Sequence, residues 1–291
     1  MLNDNPTRGA LLLMLGELLL ALMAAIIKHL SAELPSEVIV FCRNLLGLII
    51  LMPMLIGHGG LRGLRTERIG IHFVRAASGV AAMFCFFYTI AHIPLAEAVL
   101  VKMTVPFLLP LVGWLWLGDR ISSRTFYAIV LGFIGVLFIL RPGSGEFDPV
   151  ILVALLGAAL MSIAKVSIRR MADSEPPRRI VFWFGVFSTL ISAVPLLWAR
   201  PLPTLEHLPW LIAIGLLATV AQIAMTTAYQ LATPGRIGIY NYTAVIWAAA
   251  LGLIFWGEWL HWTTIAGTLL IFIAGVWNLR QKEKVVPQQE S

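Results

Sequence analysis

The sequence predicts an all-α membrane protein: ten transmembrane helices in two inverted five-helix repeats, with both termini in the cytoplasm. Three observations lead there: a composition too apolar for a soluble domain, apolar runs of bilayer length, and an internal repeat with an odd number of runs in each half. Of the 291 residues, 59% are hydrophobic and 12% charged, against roughly 25% charged in a soluble domain. The net charge of +6 does not call for a nucleic-acid partner, because the basic residues gather in short connections between apolar runs, where topology accounts for them. Cys42 and Cys85 fall inside apolar runs, and the six histidines lie at run ends. Neither a disulfide framework nor a metal site is indicated, and no cofactor motif is present.

Runs of about 20 apolar residues are long enough to cross a bilayer. Taken in order they cover approximately 9–29, 36–57, 70–91, 94–117, 122–140, 148–169, 179–198, 208–231, 234–257 and 262–280. Charge or turn residues fill the breaks, as in HGGLRGLRTER, LGDRISS, LRPGSGEFD, RRMADSEPPRR and ARPLPTLEH. Such connections leave no room for a soluble domain, so function is expected inside the bundle. The first run has a preceding Arg8 and a following LSA at 30–32, features of a signal peptide, but the repeat requires it as a retained helix.

Sliding the chain against itself by 141 residues sets LPSEVIVF (34–41) on EPPRRIVF (175–182), Gly16 on Gly157 and Tyr88 on Tyr229. At an offset of 139, Gly113 falls on Gly252, GD (118–119) on GE (257–258), and LR (140–141) on LR (279–280). The expected units are therefore 1–146 and 147–291. Five spans per half force the second half to enter from the opposite side. With the N-terminus inside, Arg8, Arg62, Arg65, Arg68, Arg120, Arg124, Arg169, Arg170, Arg178, Arg179, Arg236, Arg280, Lys282 and Lys284 are cytoplasmic, against Lys28, Arg141 and Arg200 outside. The positive-inside rule selects this orientation, and it places residues 142–147 outside.

Inverted repeats are the usual construction of secondary transporters, with the substrate site near the midplane where the halves meet. The ten spans in two halves, the segment FYTIAHIPLAEAVLV followed by a proline, the LGDR…GFIGVLFILRPG close of the first half and its WGE counterpart resemble the EamA-type branch of the drug/metabolite transporter superfamily. The resemblance runs from about 9 to 280. It implies a basket of ten helices whose first four per half line a central cavity, with the fifth of each as peripheral support. It also implies a cargo among amino acids, nucleotide-like metabolites, nucleotide-conjugated sugars and drugs.

Ionisable groups and broken helices within a membrane are costly and mark candidate sites. Lys102 lies eight residues past Pro94 and Glu17 eight residues past Gly9, each roughly 12 Å from its own boundary at about 1.5 Å per residue. In a core about 30 Å thick the two heights differ by about 6 Å, so an ion pair is expected, with snorkelling of Lys102 as the alternative. Pro106 and Pro110 free the carbonyls of Lys102 and Pro106 and are read as helix-breaking cavity positions; with Gly113 they recur at helical intervals along one stripe. The repeat sets Lys102 on Asn241. Tyr240 and Trp247 flank Asn241 as aromatic candidates, with lipid or core packing as the alternative reading. Gln222 and Tyr229 share a face of the eighth span, and Tyr88 is the repeat counterpart of Tyr229. Arg43 shares the outer half with Lys102, a combination that favours an anionic group such as a carboxylate. Arg75 and Lys165 are secondary, since they lie nearer the cytoplasmic ends, where snorkelling or phospholipid contact explains them. Trp198, Trp210, Trp259 and Trp262 read as interfacial anchors.

The expected function is alternating-access transport of a small metabolite, an amino acid or a similar zwitterionic or anionic compound, across the cytoplasmic membrane. A nucleotide-like cargo and a non-transporting helical partner in lipid or glycolipid handling stand as alternatives. An enzyme is disfavoured by the absence of paired intramembrane carboxylates, a histidine dyad or a metal cluster, and no GxxxxGK[ST] loop supplies ATP. The expected partners are the small-molecule substrate and the lipid bilayer, with a coupled proton left open and nucleic acid excluded.

Overall fold

A computed structural model describes residues 5–56, 64–118, 121–140, 149–171, 174–232 and 237–282; residues 142–147, expected outside, are not among them. Every regular element among the described residues is helical: α1 (Pro6–Leu30), α2 (Ser36–Ile56), α3 (Ile69–His92), α4 (Leu95–Lys102), α5 (Val105–Leu117), α6 (Ser123–Leu140), α7 (Val150–Met171), α8 (Pro177–Ala193), α9 (Leu208–Leu231), α10 (Thr243–Trp256) and α11 (Trp262–Lys282). Short 3₁₀ segments cover Val194–Leu197 and Gly238–Tyr242. Seven stretches among the described residues are long and apolar enough to cross a membrane, with shorter apolar helices at Thr125–Ile139 and Trp262–Trp277.

Local chemistry sets the helix ends. Asn5 caps α1 by accepting the Arg8 N–H at 3.0 Å, with Pro6 in the first turn, and the Ser31 N–H and hydroxyl return to the Ile27 carbonyl at the other end. α5 and α10 both stop at a left-handed glycine, Gly118 (φ 72°) and Gly257 (φ 65°), a conformation that costs a residue with a side chain. Large apolar side chains such as Leu115, Ile254 and Leu156 point outward, as a lipid-facing surface requires. Trp198, Trp210, Trp259 and Trp262 are also exposed, at or beyond helix ends.

The span expected over 94–117 is one of these seven stretches, Leu95–Leu117, but it is built from two helices and not one. The chain breaks between Lys102 and Val105, so Lys102, Pro106, Pro110 and Gly113 do not form one helical stripe. Pro106 sits in the first turn of α5, where a missing N–H costs nothing, and it is exposed whereas Gly113 is buried.

α1 packs on α9, α3 on α7, α6 on α11 and α2 on α8. Two close approaches depend on glycine. A Cβ at Gly16 would meet Met225 Cγ at 2.5 Å and the Ala221 carbonyl at 3.4 Å, and one at Gly157 would meet Cys85 Cβ at 2.8 Å and the Ala82 carbonyl at 3.5 Å.

Both ends of the bundle are fastened by polar groups. At one end Lys28 of α1 pairs with Glu258 and donates to the Ile93 carbonyl at 2.9 Å. The other Glu258 oxygen accepts the Leu95 N–H at 2.8 Å, capping α4. The Thr264 hydroxyl donates to Glu97 at 2.9 Å beside it. At the opposite end buried Glu175 accepts from Thr66 at 2.6 Å and Arg179 at 2.8 Å, with His72 Nε2 at 3.7 Å. Burial alone would raise the Glu175 carboxyl, but the hydrogen bonds from Thr66 and Arg179 and the Arg179 charge outweigh it and hold the group below its usual range.

Candidate functional site

The helix break creates the site. After Val101, the Thr104 hydroxyl donates back to the Val101 carbonyl at 2.6 Å, while the Met103 N–H reaches both Val99 and Leu100 carbonyls. These local bonds close α4 and leave Lys102 as its last residue, with no N–H at Pro106 to continue the ladder. Ser162 of α7 packs on this break: its hydroxyl donates to the Ala158 carbonyl at 2.9 Å and lies 3.4 Å from the Val105 carbonyl. A 3₁₀ turn covers Gly238–Tyr242, and α10 begins directly after it at Thr243. Asn241 lies in that turn, its amide donating to the Gly238 carbonyl at 3.0 Å.

Around the break three charges from three helices act on one another: Glu17 of α1, Lys102 of α4 and Lys165 of α7. The Lys102 Nζ also stands 4.9 Å from the Phe86 ring centroid, a cation–π distance. Glu17 is only 4% exposed. Lys165 keeps accessible surface, and Lys102 does so in smaller measure. The expected direct ion pair between Glu17 and Lys102 is corrected. Among the described residues direct ion pairs join Lys28 to Glu258 and Arg179 to Glu175, and the imidazoles of His72 and His207 stand 3.7 Å from Glu175 and 2.9 Å from Glu33, while Glu17 and Lys102 attract through space. Lys165, read from the sequence as a secondary position near a span end, acts on this group through its charge, on a helix, α7, that packs on α4 and α5.

The remaining candidates are distributed more widely. Arg43 of α2 donates to the neighbouring Asn44 side chain at 3.1 Å, and Asn44 donates to Ser192 of α8 at 3.3 Å. Arg75 of α3 lies 4.0 Å from the Phe184 ring centroid. Trp247 of α10 has a buried indole N–H without an acceptor. Tyr88 is exposed and stacks on His92 at 4.0 Å; Gln222 and Tyr240 are also exposed. The Tyr229 side chain lies outside the described residues.

Sequence reasoning missed two features. Phe86 and Phe184, the rings beneath Lys102 and Arg75, were not distinguishable from other apolar residues of their runs. Glu258 served only as a repeat marker, although an acid at the end of an apolar run was a signal for its capping role.

Comparison with known proteins matches this architecture. A relative from Pseudomonas aeruginosa (strain UCBPP-PA14), a pseudopaline exporter, is 32% identical over 97% of this chain and 100% of its own. A riboflavin transporter from Brucella anthropi is 28% identical over 85% of this chain and 89% of its own. A solved crystal structure with 19% sequence identity superposes with a TM-score of 0.66, covering 97% of this chain and 100% of that one, which establishes a shared fold. The EamA-like transporter family matches twice, at residues 7–141 and again at 148–280. The protein is therefore a multi-pass membrane transporter of small molecules and not an enzyme, and the chain belongs to the EamA-like transporter family.

Proposed function

We propose that the protein is a secondary transporter that moves a zwitterionic or anionic metabolite, such as an amino acid, across the cytoplasmic membrane by alternating access. Ten spans in two inverted halves, 1–146 and 147–291, carry the mechanism, with both termini cytoplasmic and the Lys28–Glu258 end outside. The observation that carries this reading is the meeting of Glu17, Lys102 and Lys165 at a helix break. An acid and two amines together suit the ammonium and carboxylate of a zwitterion, and discontinuous helices near the midplane are where such sites are built.

The inversion has several supports. At an offset of 139, Gly118 corresponds to Gly257, and Thr104, where α4 gives way to α5, corresponds to Thr243, where the 3₁₀ turn gives way to α10. At an offset of 141, Gly16 and Gly157 correspond, and each admits a neighbour from the other half. The packing of α1 on α9 has its counterpart in α7 on α3, and that of α2 on α9 in α8 on α3. The Lys28–Glu258 pair then acts as the outer closure, tied through the Leu95 N–H to the short helix that ends in Lys102. Cargo at Lys102 and closure at Leu95 are thus coupled through one rigid element of eight residues.

The 32% identical pseudopaline exporter supports outward movement of a metabolite. The riboflavin transporter favours a nucleotide-like cargo as the second reading. A thermal-shift screen of purified protein against a metabolite library, followed by counterflow of each stabilising compound in proteoliposomes, separates the two cargo classes. Purified protein that moves none of its stabilising ligands would contradict transport. Sidedness has its own check: Ala32→Cys should label from outside and Glu67→Cys only after permeabilisation.

A further inference from the structure

The charges inside the bundle do not balance. Besides Glu17, Lys102 and Lys165, the spans carry Arg43 and Arg75, and neither arginine has a carboxylate partner among the described residues. The charge of Arg43 acts on Arg75, and their helices, α2 and α3, both pack on α8. Arg43 finds only the neutral Asn44 side chain, itself held by Ser192. Arg75 lies over Phe184 at 4.0 Å, and its Nε–H is buried without an acceptor among the described residues. Gly79 makes room for this guanidinium, since a Cβ there would come within 3.1 Å of Arg75 Nη1. Both arginines keep part of their surface accessible while protein encloses them.

A purely structural arginine in such surroundings would be paired, because an unpaired buried cation is costly. Two guanidiniums on helices that both pack on α8, one backed by an aromatic ring of that helix, with a donor lacking its acceptor among the described residues, have the chemistry of a receptor for a planar or tetrahedral oxyanion. We propose that Arg43 and Arg75, with Phe184 as backing, form a second subsite that binds an acid group of the cargo, a carboxylate or phosphate. This deepens the transport reading and rests on it: Glu17, Lys102 and Lys165 take the zwitterionic end, and the arginines take a further acid. The cargo is then an amino-acid-like metabolite with more than one acid group. The same chemistry exists in an anionic lipid headgroup, but the enclosing protein and the Phe184 ring favour a small solute.

Inorganic sulfate is the probe. Thermal midpoints of purified wild-type protein, Arg43→Met and Arg75→Met are compared in sulfate and in chloride at equal ionic strength, with Lys28→Met as a control for the general effect of sulfate on folded proteins. Wild type and the Lys28 variant should gain about 2–4 °C more in sulfate than either arginine variant. In chloride, Arg43→Met should match or exceed the wild-type midpoint, since it relieves a like-charge contact. Equal sulfate shifts in all four proteins would overturn the subsite, as would a fall in the Arg43→Met midpoint or its failure to fold. A shift that appears only in phosphatidylglycerol nanodiscs, and not in phosphatidylcholine ones, would assign the arginines to lipid and overturn it also. A protein that moves cargo yet shows no arginine-dependent sulfate shift keeps the transport reading and loses this one.

Discussion

Two charged regions joined by α4 behave differently. At its N-terminal end, Lys28, Glu258, the Ile93 carbonyl and the Leu95 N–H satisfy one another directly. At its C-terminal end, Lys102 is attracted by Glu17 without a direct ion pair to it among the described residues, and carries the same charge as Lys165. The first arrangement offsets the desolvation of its charges by hydrogen bonds and therefore holds structure. The second leaves bonding capacity unused in an enclosed place, which folding alone would not favour and a ligand would complete. Saturated charges fasten this bundle, and we propose that the unsaturated ones are available to cargo.

The largest effect is expected at Glu258. Glu258→Gln keeps an oxygen for the Leu95 N–H but removes the charge opposite Lys28, and should destabilise by about 1–3 kcal/mol, lowering the thermal midpoint by about 2–4 °C for each kcal/mol. It should also loosen the outer closure, read as faster thiol labelling of Leu95→Cys from outside. An unchanged midpoint would show that the pair carries no structural weight.

The fastening at Glu175 sharpens the comparison with pH. Because its carboxyl is held below the ordinary value of 4.5, its contribution is complete above that value and fades as pH falls through the lower folded-state value. Glu175→Gln should therefore cost about 1 kcal/mol at pH 7 and progressively less below pH 4, as read by midpoints across an acid series. A constant difference across that range would contradict the assignment. The smallest stability change is expected at the site itself: Lys165→Met should shift the midpoint by no more than about 0.5 kcal/mol equivalent while lowering counterflow about tenfold. A large loss of stability with normal flux would reverse the division between the two regions.

Much of the fold was legible because bilayer thickness and backbone hydrogen bonding leave few choices for long apolar runs. Lys102, Glu17 and the prolines were legible for the same reason, as expensive residues in an apolar run. The exact break was not. It falls at Met103–Thr104 because the Thr104 hydroxyl competes for the Val101 carbonyl, whereas the prolines drew attention one turn further on. Depth along a helix can be counted from its boundary, but the direction a side chain faces depends on neighbouring helices; Lys165 therefore looked peripheral until α7 was packed on α4 and α5. Lys28 and Glu258 lie 230 residues apart, and no periodicity connects them.

The most direct measurement is counterflow through proteoliposomes containing Lys102→Met, at matched insertion and with a cargo identified on wild-type protein. Methionine preserves the length and apolar stem of lysine while removing the ammonium, so α4 should keep its fold and its capped end at Leu95. The expected result is loss of flux with a thermal midpoint at or above wild type, and partial flux in Lys102→Arg. Wild-type flux in the methionine variant would contradict the account and remove Lys102 from the path of the cargo.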